Sequence, residues 1–340
     1  MSTVTPERPV LVVGAGISGL ACARVLADAG VPVRVLDRGR RIGGRMSGRR
    51  VETSVGVRVA DLGAAYFTVS GDGGFARTVA DWEQRGLARP WTDTFGVVED
   101  GVLSRSSSGP VRWGTTGGLR TLLDDLVDPP GRTPLEVVNG IDVEAVSAGA
   151  EGPAVDGRPA AAVVLAMPDP QAADLLPRMA AMRLDVSAQW NWRPCISVYA
   201  AWSQRWWPDF HAAFVNDSDL LVFLADDGSR RGDDAPVLVA HVAPQRSADH
   251  LDAPAAVISD VLAGLGPMLT SAPTPGAEWA RAHRWSLAEP LRRHEDLTFG
   301  WDEETAIGVC GDAWGERARV QTAWESGTAL GEELRGRFAG

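Results

Sequence analysis

Four aliphatic residues, Val10-Leu11-Val12-Val13, run directly into Gly14-Ala15-Gly16-Ile17-Ser18-Gly19. A helix-compatible stretch then continues to Gly30, and residues 31–36 return as a second aliphatic strand closing on Asp37. This order predicts a strand-turn-helix-strand unit in which each special residue has its own mechanical task. Gly14 allows the tight turn off the first strand, Gly16 lets the backbone approach a pyrophosphate, and Gly19 lets the helix pack close to the strand. Ile17 and Ser18 open the helix, so their N–H groups and the positive end of the helix dipole face the phosphates. Asp37, eighteen residues past Gly19, is placed to accept hydrogen bonds from a ribose diol and to repel a 2′-phosphate. The unit reads as a dinucleotide cradle.

Composition narrows the chemistry. A chain of 340 residues with 45% hydrophobic residues and 38 glycines has room for one large or two interleaved domains, and suits an α/β protein with close helix-sheet packing. The formal charge of -11 argues against nucleic acid and anionic membrane as partners. No secretory apolar segment and no long apolar run is present, so the sequence predicts a cytoplasmic protein. Cys22, Cys195 and Cys310 are far apart and form no C-x-x-C, and the five histidines show no ligand spacing, so no metal site is predicted. All 33 basic residues are arginine. Without lysine, Schiff-base chemistry is excluded, and pyridoxal phosphate with it.

Three further stretches carry signals. Arg38-Gly-Arg-Arg-Ile-Gly43-Gly44-Arg45 follows Asp37 without a break and sets a glycine pair and several guanidiniums at the end of the cradle; Arg45 has the length to reach phosphate oxygens. Asp61-Leu62-Gly63-Ala64-Ala65-Tyr66-Phe67-Thr68 fits a strand end at which backbone approaches a flat ring, although Asp61 capping a turn and two core aromatics would also explain it. Ile307-Gly-Val-Cys310-Gly311-Asp312 reads as a short buried strand ending in Gly-Asp. After a loop, Arg319-Val320-Gln321-Thr322-Ala323 opens a helix predicted to extend through Leu334. Between these, residues 71–110 read as loop-rich with a helix over 75–86. A helix is expected to follow Trp113-Gly-Thr-Thr-Gly117-Gly118-Leu119, and strands over 137–146 and 160–166. Residues 182–295 gather tryptophans and period-2 runs, which predicts a mostly antiparallel sheet with most of those indoles in the core.

The R-x-G-G-R element resembles that of flavoproteins of the amine oxidase and glutathione reductase type. The Gly-Ala-x-Tyr-Phe-Thr segment is similar to that of renalase and its bacterial relatives, as is Arg284-Trp285-Ser-Leu-Ala-Glu-Pro290. With the closing Gly-Asp and helix, the resemblance covers residues 10–334 and is to renalase-like FAD-dependent oxidoreductases of the flavin amine oxidase superfamily. It implies a two-dinucleotide-binding-domain flavoprotein: a Rossmann-type FAD-binding domain of residues 1–70, 111–182 and 296–340, and an inserted, mostly antiparallel α+β substrate domain of residues 71–110 and 183–295. Noncovalent FAD is implied, held by Gly14, Gly16, Ile17, Ser18, Gly19, Asp37, Arg38, Gly44, Arg45, Gly63, Ala64, Val143 (through backbone, at the adenine), Gly311, Asp312, Val320, Gln321 and Ala323. Family members usually carry Glu where Gln321 stands and more often Tyr where Leu287 stands. Tyr66, Trp285 and His241 are implied on the substrate side, none as a catalytic base. The implied reaction takes hydride from 2- or 6-dihydronicotinamide nucleotides and delivers electrons to O2. Oxidation of a small or aromatic amine, and flavin binding without turnover, are the alternatives.

Overall fold

The computed structural model describes residues 4–339. They form two compact units, one of residues 4–44, 122–191 and 290–339, the other of residues 45–121 and 192–289.

The first unit is built on a six-stranded sheet in the order Gly300–Asp302, Ile307–Val309, Ala162–Leu165, Val10–Val13, Val33–Asp37, Glu136–Asn139. Every neighbouring pair is parallel except the first. The inner strands VLVV and AVVL are buried along their whole length, as strands covered on both faces must be. The helix Ile17–Asp28 is apolar nearly all round because it is itself sandwiched. On one side a Cβ built on Gly19 would stand 2.0 Å from the Gly14 carbonyl oxygen and 2.9 Å from Ala166 Cβ. On the other, a Cβ on Gly327 of the C-terminal helix Val320–Phe338 would stand 1.9 Å from the Ser18 carbonyl oxygen. Small residues therefore set how closely these layers approach.

The second unit carries an eight-stranded sheet in the order Trp279–Pro290, Trp192–Ala201, Val237–Val242, Leu221–Asp226, Ala212–Val215, Arg89–Glu99, Val102–Gly114, Phe67–Thr68. Alternation distributes its side chains to two layers. Ile196, Val198, Ala200 and Trp202 pack with Val261, Leu265 and Met268 of the helix Ile258–Thr270. Tyr199, Ala201, Val237 and Val239 pack with Val51 and Ala60 of the hairpin formed by Gly48–Thr53 and Gly56–Asp61 and with Leu62, which follows it. Of the tryptophans in residues 182–295, Trp192, Trp202 and Trp207 are buried, while Trp206, Trp279 and Trp285 are half-buried against the two clusters; Trp202, Trp206 and Trp207 pack edge-on, with centroids 5.4–5.6 Å apart.

Several expectations differ from what forms. Residues 71–110 are not loop-rich: after the helix Gly74–Gln84 they enter the long hairpin of Arg89–Glu99 and Val102–Gly114. Its Ser- and Arg-rich outer face hid the strand period. The turn signal was present in Asp100-Gly101, whose φ values of 50° and 78° are those a two-residue hairpin turn requires. The strand expected over 137–146 breaks into Glu136–Asn139 and Val146–Gly149, which belong to different sheets. The unit boundaries also depart from the segments expected: residues 45–70 and 111–121 group with the eight-stranded sheet. Val51, Ala60 and Leu62 bury against that sheet, and Asp61 pairs with Arg230.

Candidate functional site

In the first unit the sequence-identified cradle residues gather about the start of one helix. The Asp37 carboxylate accepts from the Ala15 N–H and the Gly39 N–H, both at 2.7 Å, and so ties the glycine turn to the end of the second strand. Gly43 N–H donates to the Ala15 carbonyl at 3.0 Å, and Gly44 comes over Gly16, from whose Cα its Cβ would stand 3.5 Å. Arg38 is exposed beside them. Buried Val143 follows residues 140 and 141, whose N–H groups bond the carbonyls of Gly39 and Asp37 at 3.0 Å. From the other end of the chain, Gly311 N–H donates to Ser326 Oγ at 3.0 Å, one residue before Gly327, which packs against the Ser18 backbone. These links bring buried Asp312 and the first turn of the closing helix, with Val320, Gln321 and Ala323, to the same place. That turn is braced by His294, stacked on Trp314 at 3.7 Å; both rings approach the buried Asp169 carboxylate, at 3.3 and 3.2 Å. Sequence reading passed over this brace, because no spacing links Asp169 to His294.

The cradle fits a dinucleotide. Neither helix has a side-chain bond from its N-cap residue or an acid in its first turn, so the positive dipole end of each is not offset from within the helix. A Cβ on Gly16 would meet nothing within 4 Å, which leaves open space where a pyrophosphate needs it. Burial pushes the Cys310 thiol up to about 12 and the Cys22 thiol well above its ordinary value, so both stay protonated and act as packing groups.

In the second unit the other named residues converge on one carbonyl. Leu62 oxygen accepts from Ser197 Oγ at 2.5 Å, His241 Nε2 at 3.0 Å and Trp285 Nε1 at 3.3 Å, the indole N–H being shared with Ser197 Oγ at 3.1 Å. Gly63 lies directly behind: its Cβ would stand 2.2 Å from the Arg45 carbonyl oxygen and 3.2 Å from the Trp285 ring. Ala64 N–H donates to that same Arg45 oxygen at 2.9 Å. The Arg45 guanidinium donates to the Ala288 carbonyl and lies over the Trp192 ring. His241 and Trp285 thus spend their N–H groups on holding the Leu62-Gly63-Ala64 backbone. Ser197, the third donor, carried no signal in the sequence.

The bond to Leu62 fixes His241 with its proton on Nε2. Desolvation, only partly opposed by that bond, takes the imidazole from its ordinary 6.5 down to about 4. An unfolded chain takes up this proton as pH falls below 6.5 while the folded one does not. The stabilisation is therefore full above pH 6.5 and is lost as pH falls toward 4. Melting temperature is expected to fall less steeply across that window in His241→Gln than in the parent. Burial also lowers His211 and His283, so the slope shrinks without vanishing. Parallel slopes in thermal melts of the two proteins would contradict the assignment.

Tyr66 sits among Trp91, Phe95 and Phe223, with ring centroids 6.5, 5.2 and 6.1 Å away. Phe223 continues the cluster to His241 at 5.5 Å. Burial raises the Tyr66 phenol against the opposing charge and hydrogen bond of Arg112, so the hydroxyl keeps its proton at neutral pH.

A parallel sheet with a glycine-turn cradle, an acid closing the second strand and a Gly-Asp turn returning beside it define a Rossmann-type dinucleotide-binding oxidoreductase. Residues 12–81 match an NAD(P)-binding Rossmann-like domain. Residues 85–330 match the flavin containing amine oxidoreductase family, and the chain belongs to that family, whose cofactor is FAD. Over 52 residues the chain is 48% identical to the L-amino acid oxidases of Bothrops pictus and Bothrops atrox, and over 62 residues 44% identical to Protein FLOWERING LOCUS D of Arabidopsis thaliana. These matches take in 15–18% of this chain and only 8–10% of those proteins. Among solved structures, a provisionally assigned protoporphyrinogen oxidase from Exiguobacterium sp. 255-15 superposes with a TM-score of 0.71, and putrescine oxidase bound to putrescine with 0.68. Each covers 97% of this chain and 99% of its own, at 15% identity, a likeness of fold. No helix among the described residues is long and apolar enough to cross a membrane.

Proposed function

We propose that the chain is a renalase-type oxidase of the cytoplasm that takes hydride from 2- or 6-dihydronicotinamide nucleotides. The first unit's cradle would hold FAD noncovalently, with Asp37 at a ribose and the two uncapped helix ends at anionic groups. In the second unit, Gly63 and Ala64 would offer backbone, and Tyr66, His241 and Trp285 would shape the substrate side. FAD, when bound, supplies a ring nitrogen that accepts hydride and a route for the electrons to O2, giving NAD(P)+ and hydrogen peroxide.

The observation that carries this reading is that none of the three substrate-side residues is an available base. His241 is neutral, a weak acceptor at pH 7 and tethered to Leu62; Tyr66 keeps its proton; Trp285 has none to take. An amine must lose a proton before it gives up hydride, whereas a dihydronicotinamide gains aromaticity on losing hydride and needs no proton acceptor. The chain then has only to hold two rings at reacting distance and keep water out. Rings are what the Tyr66 cluster and Trp285 are shaped to receive.

Anaerobic mixing of the FAD-loaded protein with 6-dihydro-NAD is expected to bleach the flavin absorbance within one turnover, while putrescine, benzylamine and L-leucine leave it unchanged. Bleaching by an amine alone would replace this reading with amine oxidation. No bleaching by any of them would leave a flavin-binding protein without turnover.

A further inference from the structure

Four arginines of the described residues are buried: Arg24, Arg112, Arg230 and Arg231. Three have a carboxylate within ion-pair distance, Arg24 with Asp28, Arg230 with Asp61 and Asp227, Arg231 with Asp227 and Asp233. Arg112, only 6% exposed, has none among the described residues. It stands in the strand Val102–Gly114 opposite Thr68 and Thr92. Its guanidinium lies 4.1 Å above the Phe95 ring and donates to the Asp93 carbonyl, and its charge acts on the Tyr66 phenol. In a chain with 44 acidic residues against 33 basic ones, a buried cation left without an anion is out of character. The ring face offsets part of the cost and a carbonyl takes one proton, but neither cancels the charge.

Tyr66 transmits that charge. Its ring meets the same Phe95 edge-on at 5.2 Å, and its O–H donates to no described residue. Polarised by a guanidinium, this O–H is a stronger donor than a free phenol and is directed toward anions. Aromatic rings flank it on three sides. The chemistry assembled is a positive charge behind a hydroxyl donor in a setting for flat rings.

We propose that Tyr66, backed by Arg112, is an anion-recognition subsite that takes a carboxylate or phosphate group carried by the substrate. Tyr66 makes the contact; Arg112 is a positioning residue that acts through it. This deepens the proposed function and rests on its placing of Tyr66 at the substrate side. A nucleotide would bring a phosphate and an amino acid a carboxylate, whereas a simple amine would bring a cation that the site repels.

The test is binding rather than turnover. Two matched pairs are titrated into the FAD-loaded protein by calorimetry: nicotinamide mononucleotide against nicotinamide riboside, and L-phenylalanine against phenethylamine. In at least one pair the anion-bearing member is expected to bind about tenfold tighter. The pair that shows the preference tells phosphate from carboxylate. Arg112→Met and Tyr66→Phe should each abolish the preference, and Arg112→Lys should keep part of it. If Arg112→Met does not fold, Tyr66→Phe, which removes one oxygen atom, carries the test. Absence of any preference in the parent, or its survival in both Tyr66→Phe and Arg112→Met, overturns the subsite. Because no electron transfer is read, the subsite and the dihydronicotinamide reaction stand or fall separately.

Discussion

Gly19→Val is expected to yield no soluble, FAD-loaded protein, whereas Gly16→Ala, three residues away, is expected to fold and lose only its cofactor. The contrast follows from what surrounds each Cα. At Gly19 an added Cβ falls 2.0 Å from the Gly14 carbonyl oxygen and 2.9 Å from Ala166 Cβ, and neither is the flexible end of a side chain that could step aside. The helix would have to leave the first strand and carry its far side, packed on the C-terminal helix, with it. Overpacking typically costs about 1–3 kcal/mol and more where, as here, backbone must shift, a large share of a domain's usual margin. At Gly16 the backbone is extended and an added Cβ meets nothing within 4 Å, so the apoprotein should melt within a few degrees of the parent. The methyl group would instead stand where a pyrophosphate must approach. Losing one charge-assisted contact is expected to weaken FAD binding on the order of 10- to 100-fold. Cofactor retention after gel filtration and the melting temperature of apoprotein separate the two outcomes. A Gly19→Val protein that purifies yellow would remove the steric account of the cradle.

What could be read from the sequence was local. Gly14, Gly16, Gly19 and Asp37 lie within one supersecondary unit, so spacing along the chain is spacing in space. The Gly311-Asp312 turn and the helix beginning at Val320 were legible for the same reason. Residues whose meaning depends on distant neighbours were harder. His241 and Trp285 were picked out, but that their N–H groups meet on Leu62, with Ser197, is a property of three strands coming together. Arg112 is one of 33 arginines in a Ser- and Arg-rich stretch and becomes distinctive only once it is buried without a carboxylate. The long hairpin from Arg89 was hidden because its outward positions are polar and its second strand contains Gly109-Pro110, a pair that reads as a break.

Truncating Arg230 to methionine is expected to remove about 3–5 kcal/mol of stability from the second unit, the cost of leaving a buried charge without its partner. Arg230 Nη1 stands 2.7 Å from Asp61 Oδ2 and its Nη2 2.8 Å from Asp227 Oδ1, all three residues being essentially inaccessible to water. Asp227 would keep Arg231. Asp61 would keep only the Leu119 N–H, at 2.9 Å, with Arg231 and Arg120 acting at longer range. Burial already raises the Asp61 carboxyl, and Arg230 opposes that rise more than any other group. Without Arg230 the carboxyl climbs further, and the folded state then binds a proton that the unfolded state does not hold at the same pH. Stability of the variant relative to the parent should therefore recover as pH falls toward the ordinary carboxylate range. The double substitution Asp61→Asn, Arg230→Met should recover most of the loss at pH 7, since it leaves no unpaired charge. Arg105→Met serves as the surface control, because its pair with Glu99 is exposed to solvent and its loss is expected to leave the unfolding midpoint nearly unchanged. Urea unfolding followed by tryptophan fluorescence reads the three variants and the parent. Equal losses in Arg230→Met and the double substitution would show that the stretch from Asp61 to Gly63 is held by packing rather than by this charge pair.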